Sequence, residues 1–149
     1  MASAPKLISV PRIGPRDHGR RMDLDEFAPA QVEPGYLYEL ENGVVVVDVP
    51  GVPHERVIEF VREELAFYRR ANPGVINMVS GGSGSVVRAW ALQSERHPDV
   101  SIYLSPPPSD DPQAWDDWMP DIVIEVVSKS SAKRDYERKP KDYFAVGVR

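Results

Sequence analysis

The sequence predicts an α/β domain, helices packed on a mixed β-sheet, and three stretches carry that prediction. Residues 36–41, Asn42-Gly43 and residues 44–47 read as a β-hairpin, because Asn-Gly adopts the positive φ angles of a tight two-residue turn. Residues 54–70 repeat Val57, Val61, Leu65 and Tyr68 at helical spacing, with Ile58 beside them. Glu55, Glu59, Arg62, Glu63, Arg69 and Arg70 mark the wet side of that helix. Residues 122–127 are apolar without alternation, as a central strand covered on both faces would be.

Taken in order, residues 1–21 are rich in Pro, Gly and Arg without periodicity and read as a flexible basic arm ahead of one domain, residues 22–149. Residues 22–28 suit a short helix. The valine run after the hairpin turn, apolar on both faces, is expected to be a buried strand. Asn72-Pro73-Gly74 stops the long helix. Residues 75–79 and 86–92 read as strands joined by Gly81-Gly-Ser-Gly-Ser85, which lacks the Lys-Ser/Thr of a phosphate-binding loop and reads as a flexible turn. Residues 100–104 form another strand. A Pro/Asp/Trp-rich loop, 105–120, precedes the apolar strand, with Trp115 and Trp118 packing under it, and a helix follows over about residues 131–145.

Composition narrows the function classes. The 149 residues make one ordinary domain with a proper core. Cysteine is absent, which excludes disulfides and a thiolate zinc site. No apolar stretch reaches membrane-spanning length and no secretory segment opens the chain, so a cytoplasmic protein without a membrane partner is expected. The net charge of −5 is unevenly spread. Residues 1–21 carry five Lys/Arg against Asp17 alone, residues 129–149 carry seven against three acids, and the middle holds six basic and nineteen acidic residues. Such a chain is no general polyanion binder, yet its basic ends can touch phosphate if metal ions neutralise the acidic centre. Solvated tails are the plainer reading of those ends.

Three acids stand out. Glu39 lies in the first hairpin strand, Asp99 follows a proline in His97-Pro98-Asp99, and Glu125 is embedded in Asp121-Ile-Val-Ile-Glu-Val-Val. A carboxylate within Val and Ile is costly to bury unless paired, and a divalent cation held by hard oxygen ligands is one such partner. If the strands starting at Asp99 and ending near Glu125 are neighbours, period 2 lets both acids converge on one ion. Mg²⁺ suits this, as does Mn²⁺, and a nearby lysine would orient an attacking water. Each residue also has an ordinary reading. Asp after Pro commonly caps a turn, Glu39 beside Asn-Gly reads as an exposed hairpin residue, Asp135 and Lys139 as a weak helical ion pair, and His54 as a cap or packing residue.

Their order carries a resemblance. Tyr38-Glu39-Leu40 with Gly43, His54, Pro98-Asp99, Pro120-Asp121, Ile124-Glu125-Val126-Val127-Ser128, then Asp135, Lys139, Tyr143 and Gly147-Val148 follow one another from about Met22 onward. On these residues the chain resembles the Uma family (the Uma-two domain), a branch of the PD-(D/E)XK nucleases. The resemblance implies a restriction-endonuclease-like fold and Mg²⁺-dependent hydrolysis of DNA. It makes Glu39, Asp99 and Glu125 the metal-site acids and Lys139 the catalytic lysine. The alternative is a catalytically degenerate module of the same fold that binds nucleic acid or protein. The superfamily's lysine lies two residues after the second acid, where this chain has Val127, so Lys139 would serve from the following helix. Tyr136, Pro140, Tyr143 and Phe144 read as that helix's apolar stripe, and Pro140 requires either a kink or a helix that begins near residue 139. Relatives continue past Gly-Val into a further strand. The chain stops at Gly147-Val148-Arg149, an ending that would expose a sheet edge. The alternatives are a truncated product and a homodimer in which another copy completes the sheet.

Overall fold

The computed structural model describes residues 10–111 and 114–149, apart from the Asp116 side chain. The first nine residues of the expected arm lie outside these, as do residues 112 and 113 of the loop. The class is α/β as predicted. The nine strands of the described residues are β1 (Arg12–Ile13), β2 (Gln31–Val32), β3 (Leu37–Glu41), β4 (Val44–Asp48), β5 (Met78–Ser80), β6 (Val87–Ala89), β7 (Ser94–Arg96), β8 (Val100–Tyr103) and β9 (Ile122–Ile124). The α-helices are α1 (Leu24–Phe27), α2 (Val52–Ala71) and α3 (Lys139–Ala145), and a π-helical turn, Arg134–Arg138, leads into α3. The two larger sheets are antiparallel, in the orders β4-β3-β7-β6 and β5-β8-β9, while β1 and β2 form a short parallel ladder.

The hairpin forms as expected. Asn42 and Gly43 take φ of 48° and 74°, and β3 and β4 pair from Leu37↔Asp48 to Glu41↔Val44. The valine strand, however, is at the sheet edge and only Val45 is fully buried. Its outer side is covered by residues 19–21, which were expected to belong to the arm. Val45 N–H donates to the Arg20 carbonyl, and the Val45 carbonyl accepts from Gly19. The described part of the arm is tied down because Ile13 packs into the main apolar core with Met22, Leu24, Phe27, Tyr38, Leu40 and Val45.

Strand β3 is buried on both faces, and the two faces differ. Tyr38 and Leu40 point into the apolar core, whereas Glu39 and Glu41 point the other way into an ionic layer. The later strand also departs from expectation. Strand β9 ends at Ile124, borders its sheet, and keeps Ile122 exposed. Its outer edge is met by Arg149, whose N–H donates to the Asp121 carbonyl and whose carbonyl accepts from Val123.

Two helices correct the apolar stripes read from sequence. In α2 only Ile58 is buried, Val61 and Leu65 are half-buried, and Val57, Phe60, Phe67 and Tyr68 are exposed. In the C-terminal helix Tyr136 and Phe144 are 71% exposed, while Asp135, Lys139, Asp142 and Tyr143 face inward. Pro140 resolves the choice between kink and start. The helix runs without a break from residue 132, and the turn before Pro140 is π-helical, with Lys139 N–H donating to the Arg134 carbonyl five residues back. The chain goes through the proline by widening that turn and does not start a helix there.

Candidate functional site

Strands β8 and β9 set the site. Their register pairs Val100 with Ile124 and Ser101 with Val123, so the next step outward places Asp99 opposite Glu125. The neighbour relation expected from sequence is therefore present. Asp99 Oδ2 also accepts from Val126 N–H at 2.7 Å, which ties the two strand ends together. The glycine loop fixes Asp99 from behind. Gly82 N–H donates to the Pro98 carbonyl at 2.7 Å, and a Cβ on Gly81 would stand 2.1 Å from the Asp99 carbonyl oxygen. Instead of a free turn, the loop is a close-packed backstop that requires glycine at that contact.

His54 completes this end, its Nε2 3.2 Å from Asp99 Oδ2. Its Nδ1 is buried without a hydrogen bond, 3.6 Å from Glu55. Read from sequence as a cap or packing residue, His54 lines a cavity of about 310 Å³ together with Asp99, Glu125, Asp135 and Lys139. Its place in the first turn of α2, facing the end of β8, was not available from helix spacing.

Lys139 joins the two sides. Its ammonium lies 2.9 Å from Glu125, 3.4 Å from Asp135 and 3.6 Å from Glu39, and the side chain is 6% exposed. Burial pulls its pKa down, and Glu39 and Glu125 more than reverse this, so the lysine stays charged. Glu125 accepts from Lys139 on one oxygen and from the Tyr143 hydroxyl on the other. Burial nevertheless pushes its pKa up to about 7, against the pull of Lys139 and Tyr143.

Glu39 sits deeper. Its oxygens accept from His97 N–H at 3.0 Å and Arg96 Nη1 at 3.4 Å, and it is 2% exposed, so it is not the exposed hairpin residue of the ordinary reading. It is not part of the cavity wall. Burial raises its pKa, but Lys139 and Arg96 bring it below the usual carboxylate value. Arg96, fully buried, is the hub that sequence reading missed. Its Nε donates to Asp142 at 2.7 Å and its Nη2 to Glu41 at 3.1 Å, and Arg138 also binds Glu41. An isolated arginine in a three-residue strand carries no sequence signal for this role.

Among the described residues no three His, Asp or Glu side chains are disposed to enclose a cation by themselves. Asp99 and Glu125 supply two hard-oxygen ligands at a cavity, and Oδ1 of Asp99 takes no donor among the described residues. That set fits Mg²⁺ or Mn²⁺, which keep several waters and need only one or two carboxylates. Lys139 has three carboxylates within 4 Å, those of Glu39, Glu125 and Asp135, and shares Glu39 with Arg96.

No helix among the described residues is long and apolar enough to cross a membrane. None of the proteins of curated function matches the chain. The Uma2 family model, described as "Putative restriction endonuclease", matches residues 24–149, which takes in Glu39, His54, Asp99, Glu125 and Lys139, and the chain belongs to that family.

Proposed function

We propose that this chain is a Mg²⁺- or Mn²⁺-dependent endonuclease that hydrolyses DNA phosphodiester bonds. The observation that carries the reading is the placement of Asp99 and Glu125 opposite each other at a cavity that also holds Lys139. Asp99 and Glu125 are the residues to hold the ion. When bound, it supplies Lewis acidity toward a phosphoryl oxygen and lowers the pKa of a water. Lys139, kept charged by its acidic neighbours, donates hydrogen bonds to the attacking water or to a phosphate oxygen and offsets developing negative charge. Glu39 and Asp135 position the lysine from behind, a role that replaces direct metal contact for Glu39. His54 holds the Asp99 carboxylate on the helix side.

The second reading is a degenerate module that binds nucleic acid without cutting it. Both Glu125 oxygens already accept hydrogen bonds within the chain, from Lys139 and from the Tyr143 hydroxyl, which favours it. Supercoiled plasmid incubated with Mg²⁺, Mn²⁺ or EDTA separates the two. Nicking is expected with either metal, none in EDTA, and a loss of at least about 100-fold in Glu125→Ala, the scale of removing a key electrostatic group. Nicking that persists in EDTA, or in a folded Glu125→Ala protein, would overturn the endonuclease reading. A folded wild type that neither binds metal nor nicks supports the degenerate module.

A further inference from the structure

The two basic ends of the chain, 1–21 and 129–149, are far apart in sequence, and the fold brings their described parts together. Arg21 lies beside β4, to which it is bridged at Val44, and Lys133, Arg138 and Lys141 come from the C-terminal segment across from it. Between them runs a groove of about 830 Å³. Arg21, Lys133 and Lys141 are exposed and have no ion pair among the described residues. Two acids of the groove wall, Glu41 and Asp142, are already bound to Arg96. The groove therefore presents uncompensated positive charge, although the chain as a whole is acidic. It also connects with the candidate site, since Ser130 and Arg134 line both the groove and the cavity that holds Asp99, Glu125 and Lys139.

We propose that this groove binds the phosphate backbone of a nucleic acid running into the cavity, with Arg21, Lys133 and Lys141 as phosphate contacts and Arg134 at the junction. The inference rests on the endonuclease reading of the cavity and names the surface that would deliver its substrate. An acidic protein partner would suit the charge equally, but only a phosphodiester chain gives the groove a reason to open onto the carboxylate and lysine cluster. Phosphate contacts fix position and carry no base information, so the groove is expected to bind without sequence preference.

The test is binding of a fluorescein-labelled DNA duplex in EDTA, read by anisotropy across a salt series, so that cleavage does not enter. Arg21→Ala/Lys133→Ala/Lys141→Ala is expected to lower affinity at least tenfold and to reduce the salt slope by as much as about 2.7, three contacts at roughly 0.9 each. Arg69→Ala/Arg70→Ala, in a separate basic groove on α2, is the control expected to bind normally. If the triple variant melts early, Lys133→Glu and Lys141→Glu separately must show the same loss. Unchanged binding in folded variants, or a loss confined to Arg69→Ala/Arg70→Ala, would overturn the assignment. So would equal competition by poly-glutamate and unlabelled DNA. Plasmid nicking read beside this keeps the two proposals apart: nicking with normal groove-variant binding sinks only the groove, and groove-dependent binding without nicking sinks only the endonuclease.

Discussion

The molecule buries acidic side chains in two neighbouring places and treats them in opposite ways. Around Arg96, the carboxylates of Glu39, Glu41 and Asp142 converge on one guanidinium that is wholly out of solvent. Opposing charge wins there: burial raises the pKa of Glu39 and of Glu41, and the cations Lys139, Arg96 and Arg138 pull both below the ordinary value. At the cavity, burial wins, and Glu125 is pushed up to about 7 although Lys139 and Tyr143 both bind it. The same chemistry thus gives one cluster closed off from solvent around Arg96 and another that faces a cavity, with Glu39 shared between them through Lys139. A closed cluster organises the fold, whereas an open one has capacity left for a ligand.

The sharpest way to break this comparison is to remove the hub. Arg96→Met leaves three buried carboxylates without their shared partner and is expected to cost about 3–5 kcal/mol, enough to lower the melting temperature by some 10 °C or more in a domain of this size. A variant that melts like wild type would show that the cluster does not organise the fold. The next change touches only the open cluster. Gly81→Ala drives a methyl into the Asp99 carbonyl and is expected to cost about 1–3 kcal/mol and weaken Mn²⁺ binding, read by calorimetry. Unaltered Mn²⁺ affinity would mean that Asp99 does not depend on the glycine backstop.

A third effect is in pH. Glu125 and His97 both have raised values, His97 because Glu95 outweighs the burial that lowers it. Each contributes stability that is complete below its unfolded value, near 4.5 and 6.5 respectively, and is lost as pH rises through the folded one. In EDTA the melting temperature should therefore fall between about pH 5 and 8, and Glu125→Gln should flatten the part that falls up to about pH 7. Acids with lowered values act in the other direction and only at lower pH, as pH drops through their folded values. A wild-type curve flat over this window would contradict the raised Glu125.

What was legible in the sequence was local. Asn42-Gly43 specified its turn by backbone preference, Asp99 stood out after a proline at a strand start, and Glu125 because it interrupts an apolar run. The burial of the helices was not legible, because reading apolar residues as the inner face assumes an apolar interior. Next to the site the interior is ionic, so Lys139 and Asp142 point in while Tyr136 and Phe144 point out. Partners 46 and 57 residues apart, such as Arg96 with Asp142 and with Glu39, leave no periodic trace for a sequence reading to find.

The π-helical turn ahead of Pro140 bears on how this chain tolerates changes in length. Side chains four apart on an α-helix overshoot a full turn by roughly 40°, while those four apart on the wider π turn fall short of one. Asp135 to Lys139 crosses the wide turn and Lys139 to Tyr143 the ordinary one, so the two errors run in opposite directions and all three side chains stay buried. Losing one residue from 134–138 would let the wide turn close to an α turn, and because five residues of the one and four of the other both sweep roughly 400°, the segment upstream of Lys139 would keep its facing. The wide turn thus holds one residue more than an α-helix needs there.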